Sequence, residues 1–144
     1  MPKAQSILDR KGTGVATIDR DKTVLAAAVL MNQQRIGAVV VTSGEHVVGI
    51  FTERDILNRV VAAGKDPAAT PVGAVMTAPM ACCRRDTRLV ECKTTMTIKR
   101  IRHLPVVEDG KLYGIISVGD ILACEVAEQQ STIEYLHEYL YGRT

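Results

Sequence analysis

Hydrophobic and polar positions follow two periods along this chain, and their order predicts a mixed α/β fold. Apolar residues at 24, 27, 28 and 31 have the three-to-four spacing of an amphipathic helix. Apolar runs at 38–41 and 47–51 flank a polar turn, which predicts an antiparallel hairpin. A short strand is predicted at 16–18, before the helix, and a second helix follows the hairpin. The predicted unit is therefore β-α-β-β-α, with a crossover after its first strand.

The same unit is repeated 65 residues later. Residues 15–57 align with residues 80–122 without a gap, and 12 of the 43 aligned pairs are identical. Two copies are too few for a solenoid, so they predict two halves packed about a pseudo-two-fold axis. The predicted segments are an N-terminal segment with one short helix (1–13), a first repeat (14–64), a Pro- and Gly-containing linker (65–78), a second repeat (79–125) and a C-terminal helical extension (126–144).

Composition excludes several classes of protein. The 144 residues are 47% hydrophobic and 24% charged, which excludes disorder as the main state. The uncharged apolar stretch 23–34 has 12 residues and ends in amides, whereas a membrane span needs about 20. The N-terminus has no apolar signal core, so we expect a cytoplasmic protein without membrane contact. A net charge of +2 and an aromatic content of 3% argue against a base-stacking nucleic-acid surface.

The cysteines and the histidines do not form a pattern typical of a metal or catalytic site. The four cysteines contain no CxxC pair and lack histidines at zinc-ligand spacing, so we expect reduced thiols and no metal. Ser117 and His103 could be considered as a nucleophile and its base, but the sequence shows no third group to orient them. The sequence therefore predicts neither catalytic residues nor a catalytic cofactor.

The most similar stretch of the two copies combines glycine, a hydroxyl residue and aspartate. Residues 49–55 are Gly-Ile-Phe-Thr-Glu-Arg-Asp, and residues 114–120 are Gly-Ile-Ile-Ser-Val-Gly-Asp. A hydroxyl residue three positions before an acid is a capping-box signature, so a purely structural role is one interpretation. The other is a ligand site, because a carboxylate accepts hydrogen bonds from a ribose diol and the helix N-terminus exposes N–H groups. The glycine would then let a ligand approach the backbone closely.

Together these motifs resemble the tandem cystathionine-β-synthase (CBS) domain pair, or Bateman module. The resemblance also includes Arg-His-Leu-Pro-Val-Val at 102–107 and the linker segment 70–77, and it covers residues 14–125. It implies two β-α-β-β-α repeats that bind AMP, ADP, ATP, NAD(H) or S-adenosylmethionine in clefts between them. It further implies a regulator that senses nucleotides, forms a homodimer and signals by conformational change to an unidentified protein.

The resemblance also assigns candidate ligand-binding residues. Asp55 and Asp120 would hold the ribose, next to the hydroxyls of Thr52 and Ser117. The positions expected to surround the base are Thr17, Ile36, Gly37, Ala38, Ile50, Cys82, Leu104, Pro105 and Ile115. Phosphates would meet Arg54, Arg102 and His103. Since Arg102 and His103 belong to the same repeat as Asp120, the sequence favours the Asp120 site for phosphorylated ligands.

Two further surfaces are predicted from charge and hydrophobicity. A basic patch lies between residues 84 and 103, and its members are Arg84, Arg85, Arg88, Lys93, Lys99, Arg100, Arg102 and His103. Nucleic-acid binding through this patch is an alternative function, although no helix-turn-helix or RNA-binding motif accompanies it. Apolar positions on the helices after Thr52 and Ser117, together with the extension, predict a two-fold homodimer interface. A purely structural dimer is the third alternative.

Overall fold

The computed structural model describes residues 2–12 and 14–142 and has the predicted α/β class. Thr13, in the predicted N-terminal segment, and the last two residues of the predicted extension lie outside the described residues. The first half contains α1 (Ala4–Lys11), β1 (Thr17–Asp19), α2 (Val24–Gln34), β2 (Ala38–Ser43), β3 (His46–Thr52) and α3 (Glu53–Asp55). The second half contains α4 (Val72–Val75), α5 (Leu89–Lys99), β4 (His103–Glu108), β5 (Lys111–Ser117) and α6 (Val118–Tyr141).

The first repeat forms a three-stranded sheet covered by α2. β1 is parallel to β2, and β2 is antiparallel to β3, as the crossover and the hairpin predict. The Thr23 hydroxyl caps α2 by accepting the Ala26 N–H at 3.1 Å, and α2 ends at Arg35 in the left-handed region. Buried Val24, Ala27 and Met31 give α2 the apolar face that the spacing predicts.

The second repeat has the same hairpin but lacks the predicted first strand. The repeat predicts a strand at 81–83, and this prediction is wrong. The pairing there is limited to one parallel bridge between Cys83 and Val106. In the first repeat the Val40 N–H donates to the Ala16 carbonyl oxygen at 3.1 Å. The position equivalent to Val40 is Pro105, which has no N–H to donate. The strand pairing therefore cannot extend to Ala81.

The helix after β3 differs from its counterpart in the second repeat. α3 continues as a π-helix over Ile56–Val61, whereas α6 remains α-helical for 24 residues. Arg59, in the π-helical stretch, donates to the Met76 carbonyl oxygen at 2.7 Å. This hydrogen bond connects the π-helical stretch of the first repeat to the linker. Within the described residues, no helix is both long enough and apolar enough to cross a membrane.

Each repeat takes its upstream helix from a segment outside the predicted repeat boundaries. The core of the first repeat includes Val72 and Val75 of α4, which precedes the second repeat. The core of the second repeat includes Ile7 and Leu8 of α1, which precedes the first. α1 and α4 are themselves equivalent under the 65-residue shift. The chain thus exchanges these two helices between its halves, and the N-terminal segment and the linker are structural parts of the two cores.

Candidate functional site

A cavity of about 440 Å³ lies between the two repeats. Its volume falls within the range of about 300–1,000 Å³ that is typical of small-molecule sites. The first repeat and the linker contribute Gly37, Ile50, Thr52, Glu53, Arg54, Asp55 and Thr77, and Pro79 begins the part contributed by the second repeat. The second repeat contributes Ala81, Lys99, Ile101, Arg102 and His103. The cavity thus combines apolar walls with three cationic side chains and two carboxylates.

Asp55 is the buried acid of this cavity, with only 6% of its surface exposed. Its Oδ2 accepts the Thr52 N–H at 3.0 Å, and the Thr52 hydroxyl accepts the Asp55 N–H at 3.3 Å, which completes a capping box. Its Oδ1 accepts the Thr77 hydroxyl at 3.0 Å and lies 3.6 Å from Nε of Arg59. The Thr52 hydroxyl also donates to Oδ2 at 3.3 Å, so three hydrogen bonds and the nearby Arg59 guanidinium occupy most of the about four lone-pair sites of this carboxylate. A ribose hydroxyl would therefore have to share or replace one of these contacts.

Two side chains of this cavity cross between the repeats. The Arg54 guanidinium donates to the Arg100 carbonyl oxygen, at the residue that ends α5 in the left-handed region. His103 packs against Gly37, where an added Cβ would lie 3.1 Å from Cε1 of the imidazole. Any side chain at position 37 would therefore displace His103. The contacts of Arg54 and His103 make the cavity sensitive to how the two repeats are placed.

Burial changes the expected charge of His103. Burial lowers the pKa of His103 from its ordinary value of 6.5, although the Glu53 carboxylate opposes this shift. The imidazole is therefore neutral at pH 7. Positive charge in the cavity comes instead from Arg54, Lys99 and Arg102, and a neutral imidazole can still donate or accept one hydrogen bond per nitrogen.

The second aspartate of the duplicated motif has a different environment. Asp120 forms the equivalent capping box with Ser117, but its Oδ2 also contacts the Lys11 ammonium at 2.8 Å. Lys11 donates to the Ile115 carbonyl oxygen at 3.0 Å as well. Burial alone would raise the pKa of Asp120, but the bonds from Lys11 and Ser117 hold it below the ordinary value. α1 therefore provides this carboxylate with a cation from within the chain.

The motif glycines serve packing within the chain. A Cβ on Gly49 would lie 2.8 Å from the Thr77 carbonyl oxygen, and one on Gly114 would collide with the Leu8 side chain. Neither glycine lines the cavity. We expected a ligand to lie close to these glycines, but α1 lies against Gly114 and the segment after α4 lies against Gly49. Each glycine therefore makes room for the exchanged helix or the segment that follows it.

The structure groups the predicted site residues differently from the sequence-based expectation. The seven that meet around the cavity are Gly37, Ile50, Thr52, Arg54, Asp55, Arg102 and His103. Arg102 and His103 therefore line the same cavity as Thr52 and Asp55. His103 also lies near Asp120, because it pairs with Ser117 in the β4–β5 hairpin and the Asp120 charge acts on its pKa. The predicted residues that do not line it are Thr17, Ile36, Ala38, Cys82, Leu104, Pro105, Ile115, Ser117 and Asp120. Ala38, Leu104 and Pro105 are buried, whereas Thr17 and Cys82 are exposed.

Sequence reasoning missed several members of the cavity. Thr77 lies in the linker that the family resemblance includes, but nothing in its local sequence pairs it with Asp55. Lys99 belongs to the predicted basic patch, and Ile101 is not among the predicted site residues. The 65-residue shift could have pointed to Ile101, because it is the counterpart of Ile36.

Ion pairs occupy four of the seven arginines and lysines of the basic patch. The pairs are Arg84–Asp86 at 3.9 Å, Arg85–Glu108 at 2.8 Å, Arg88–Glu91 at 3.0 Å and Lys93–Glu125 at 2.6 Å. Two of the remaining three, Lys99 and Arg102, line the cavity. The charge available to an external polyanion is therefore smaller than the sequence suggests.

A family profile of the CBS domain matches residues 11–62 and 72–126, one match for each repeat. The chain belongs to the CBS domain family. It is 32% identical to the CBS domain-containing protein YhcV of Bacillus subtilis, over 88% of this chain and 89% of that protein. It is 35% identical to the mitochondrial CBS domain-containing protein CBSX3 of Arabidopsis thaliana, over 85% of this chain, and it spans 62% of the length of CBSX3.

Solved structures of CBS-domain proteins have the same fold. The CBS-domain-containing protein ATU1752 from Agrobacterium tumefaciens superposes with a TM-score of 0.80 at 38% identity, over 85% of this chain and 98% of that one. The hexameric CBS-CP12 protein from bloom-forming cyanobacteria gives a TM-score of 0.75 at 32% identity, over 85% of this chain and 70% of that one. Tandem CBS pairs are generally regulatory, ligand-binding modules, and the neighbours of this chain include oligomers.

Proposed function

We propose that this CBS pair is a regulatory sensor that binds AMP, ADP, ATP or NAD(H) in the cavity between its repeats. S-adenosylmethionine is a further candidate, because it carries the same adenosine group. The observation that supports the proposal is the combination of the buried Asp55 carboxylate with the cations of Arg54, Lys99 and Arg102 in one cavity. A carboxylate suits a ribose diol, and cations suit phosphates. Ile50 and Ile101 offer an apolar surface for the base.

The signalling step follows from the contact between Arg54 and Arg100. A phosphate in the cavity competes for the Arg54 guanidinium with the Arg100 carbonyl oxygen of the other repeat. Charge-assisted bonds to a dianion are stronger than a bond to a neutral carbonyl. Binding would therefore favour a different placement of the repeats, and a partner protein would respond to that placement. This is a regulatory role and not a catalytic one.

We also propose that the protein acts as a homodimer. Leu57 and Val61 of the first repeat correspond to Leu122 and Val126 of the second, and all four side chains are exposed by more than half. Equivalent apolar patches on both repeats suit a two-fold interface that buries them together. Light scattering of the purified protein should give about twice the chain mass of 15.6 kDa.

Calorimetric titration with AMP and with adenosine tests the nucleotide proposal. Arg102→Ala should weaken AMP binding by about ten- to a hundred-fold, since a charge-assisted hydrogen bond contributes about 1.5–3 kcal/mol. Adenosine has no phosphate, so its affinity should be nearly unchanged by this substitution. Lys65→Ala, which removes an exposed cation outside the cavity, is the charge-matched control. Equal losses for both ligands, or no binding of any of the named nucleotides, would reject the proposal in favour of a purely structural dimer.

A further inference from the structure

α6 carries an apolar stripe along most of its length that the described fold leaves uncovered. Its positions are alternately four and three residues apart, and they are Leu122, Val126, Gln129, Ile133, Leu136 and Leu140. We call this set the α6 stripe. Its five apolar members have 53, 61, 59, 48 and 65% of their surface exposed. From residue 128 to residue 142 every residue is exposed, so the fold supplies no neighbour for the stripe there.

The spacing of the α6 stripe is that of a coiled-coil seam. Alternate steps of three and four residues average 3.5 and keep every member on one side of a supercoiled helix. At about 100° per residue, Ile121 and Cys124, which pack into the second repeat, are turned about 100° and about 160° from Leu122 around the helix. The seam therefore points away from the body of the protein. At about 1.5 Å per residue, the 24 residues of α6 give a rod of about 36 Å.

The residues that flank the α6 stripe favour a second copy of the same helix. Beside the seam lie Ala123, Glu125, Gln130, Thr132, His137 and Tyr139. Glu125 is the only acid among them, and it is already paired with Lys93 at 2.6 Å. Two copies of α6 can therefore approach along the seam without placing like charges opposite each other.

Gln129 favours a parallel over an antiparallel orientation of the two α6 helices. In a parallel pair, the two copies of Gln129 face each other, so each amide can donate to and accept from the other. In an antiparallel pair with the same overlap, Gln129 would face Ile133, and its amide would lack a partner at the seam. A single polar residue in an apolar seam is known to specify register in this way.

We propose that α6, from Leu122 to Leu140, forms a parallel two-stranded coiled coil with α6 of a second copy. Leu122 and Val126 begin the seam at the body, so the coil is continuous with the exposed patch of the second repeat. The seam spans fewer than three heptads, and isolated helices this short are marginal in water. Attachment to the two bodies raises the effective concentration of one helix near the other and compensates for that shortness. This proposal does not rest on nucleotide binding.

Sedimentation of the full chain tests whether the α6 stripe contributes to assembly. Leu136→Glu should raise the dimer dissociation constant at least about ten-fold, because it places like charges in the seam. Ser131→Glu introduces the same charge on the opposite side of α6 and should leave the constant within about two-fold. Equal effects of the two substitutions, or a wild-type chain that is monomeric at micromolar concentration, would overturn the proposal.

Disulfide trapping tests the orientation. In a Cys82→Ser background, which removes the one exposed cysteine, Leu136→Cys should form a covalent dimer on mild oxidation. The same position on two parallel helices meets itself, whereas in the antiparallel pair the two copies of residue 136 lie about 15 Å apart along the axis. Gln130→Cys is the matched position, because it lies near the two-fold axis of the antiparallel arrangement. Trapping at 130 but not at 136 would overturn the parallel coil.

Discussion

The Lys11 ammonium lies 2.8 Å from Oδ2 of Asp120, whereas the equivalent carboxylate, Asp55, is bonded by the Thr77 hydroxyl at 3.0 Å. Lys11 and Met76 are counterparts under the 65-residue shift, so the two contacts come from corresponding segments of the chain. Lys11 therefore pairs with Asp120 at hydrogen-bond distance, whereas Asp55 has a neutral donor at that distance and the Arg59 guanidinium farther away, at 3.6 Å. This difference makes the two candidate sites unequal in a way that the motifs alone do not show.

Replacing Lys11 should open the Asp120 site. Lys11→Met removes the cation that occupies the carboxylate but keeps the length of the side chain. Calorimetry with AMP should then show an additional binding event that the wild-type chain lacks, because a diol need no longer displace an ion pair. Arg10→Met removes a neighbouring exposed cation of α1 and should leave the titration unchanged. An unaltered isotherm for Lys11→Met would show that Lys11 does not control this site.

The two aspartates should contribute unequally to AMP binding. Asp55→Asn should weaken binding at least about ten-fold, because the amide is neutral and has one acceptor oxygen where the carboxylate has two. Asp120→Asn should change it by less than about two-fold, since Lys11 already occupies that carboxylate. Thermal unfolding of each variant, followed by circular dichroism, must first show a cooperative transition. If Asp120→Asn weakened AMP binding more than Asp55→Asn, the stronger site would be the one that contains Asp120.

Gly49→Ala should destabilise the fold even though Gly49 does not line the cavity. The new Cβ would lie 2.8 Å from both the Thr77 carbonyl oxygen and Sδ of Met76, so the exchanged segment must shift. Overpacking of this kind costs about 1–3 kcal/mol in the free energy of unfolding. Urea denaturation measures it, with Gly119→Ala as the control. Gly119 is exposed in the first turn of α6, where alanine favours the helix by up to about 1 kcal/mol.

His103 should make the protein less stable as the pH falls below about 6.5. Its pKa is lowered in the folded state, so between the two pKa values the unfolded chain binds more protons. The stability that depends on neutral His103 is fully present above the unfolded pKa and is lost as the pH falls through the folded one. Urea denaturation from pH 7.5 to 5 should show this slope in the wild type and a smaller slope in His103→Gln. Identical slopes would contradict the assignment.

The same shift of the His103 pKa predicts how AMP binding depends on pH. Between pH 7 and 8 the imidazole is neutral throughout, so the affinity of His103→Gln should keep a constant ratio to that of the wild type. The phosphate contacts would come from Lys99 and Arg102, which line the same cavity. A wild-type affinity that falls steeply between pH 6.5 and 7.5, and does so only when His103 is present, would show that the cationic imidazole binds the phosphate.

The sequence by itself determined the elements and the duplication, because those depend on local patterning. The three-to-four spacing around Ala27 gave α2, and the polar turn after β2 gave the hairpin. The pairing of Thr52 with Asp55, and of Ser117 with Asp120, depends on positions three apart, so both capping boxes were predictable. The loss of the strand before Cys83 could also be derived from the sequence, since Pro105, the counterpart of Val40, lacks the N–H that Val40 supplies.

Only the tertiary structure decided which residues share a cavity and which helix covers each motif. Arg102 is 47 positions from Asp55 in the chain, and no local pattern sets their separation in space. The exchange of α1 and α4 depends on how apolar faces of the two halves fill each other's cores, which involves contacts more than 100 residues apart. Side chains meet according to packing and not according to sequence distance. For this reason the two motifs are equivalent in sequence but not in the structure. Asp55 lines a cavity, whereas Asp120 is bonded to Lys11.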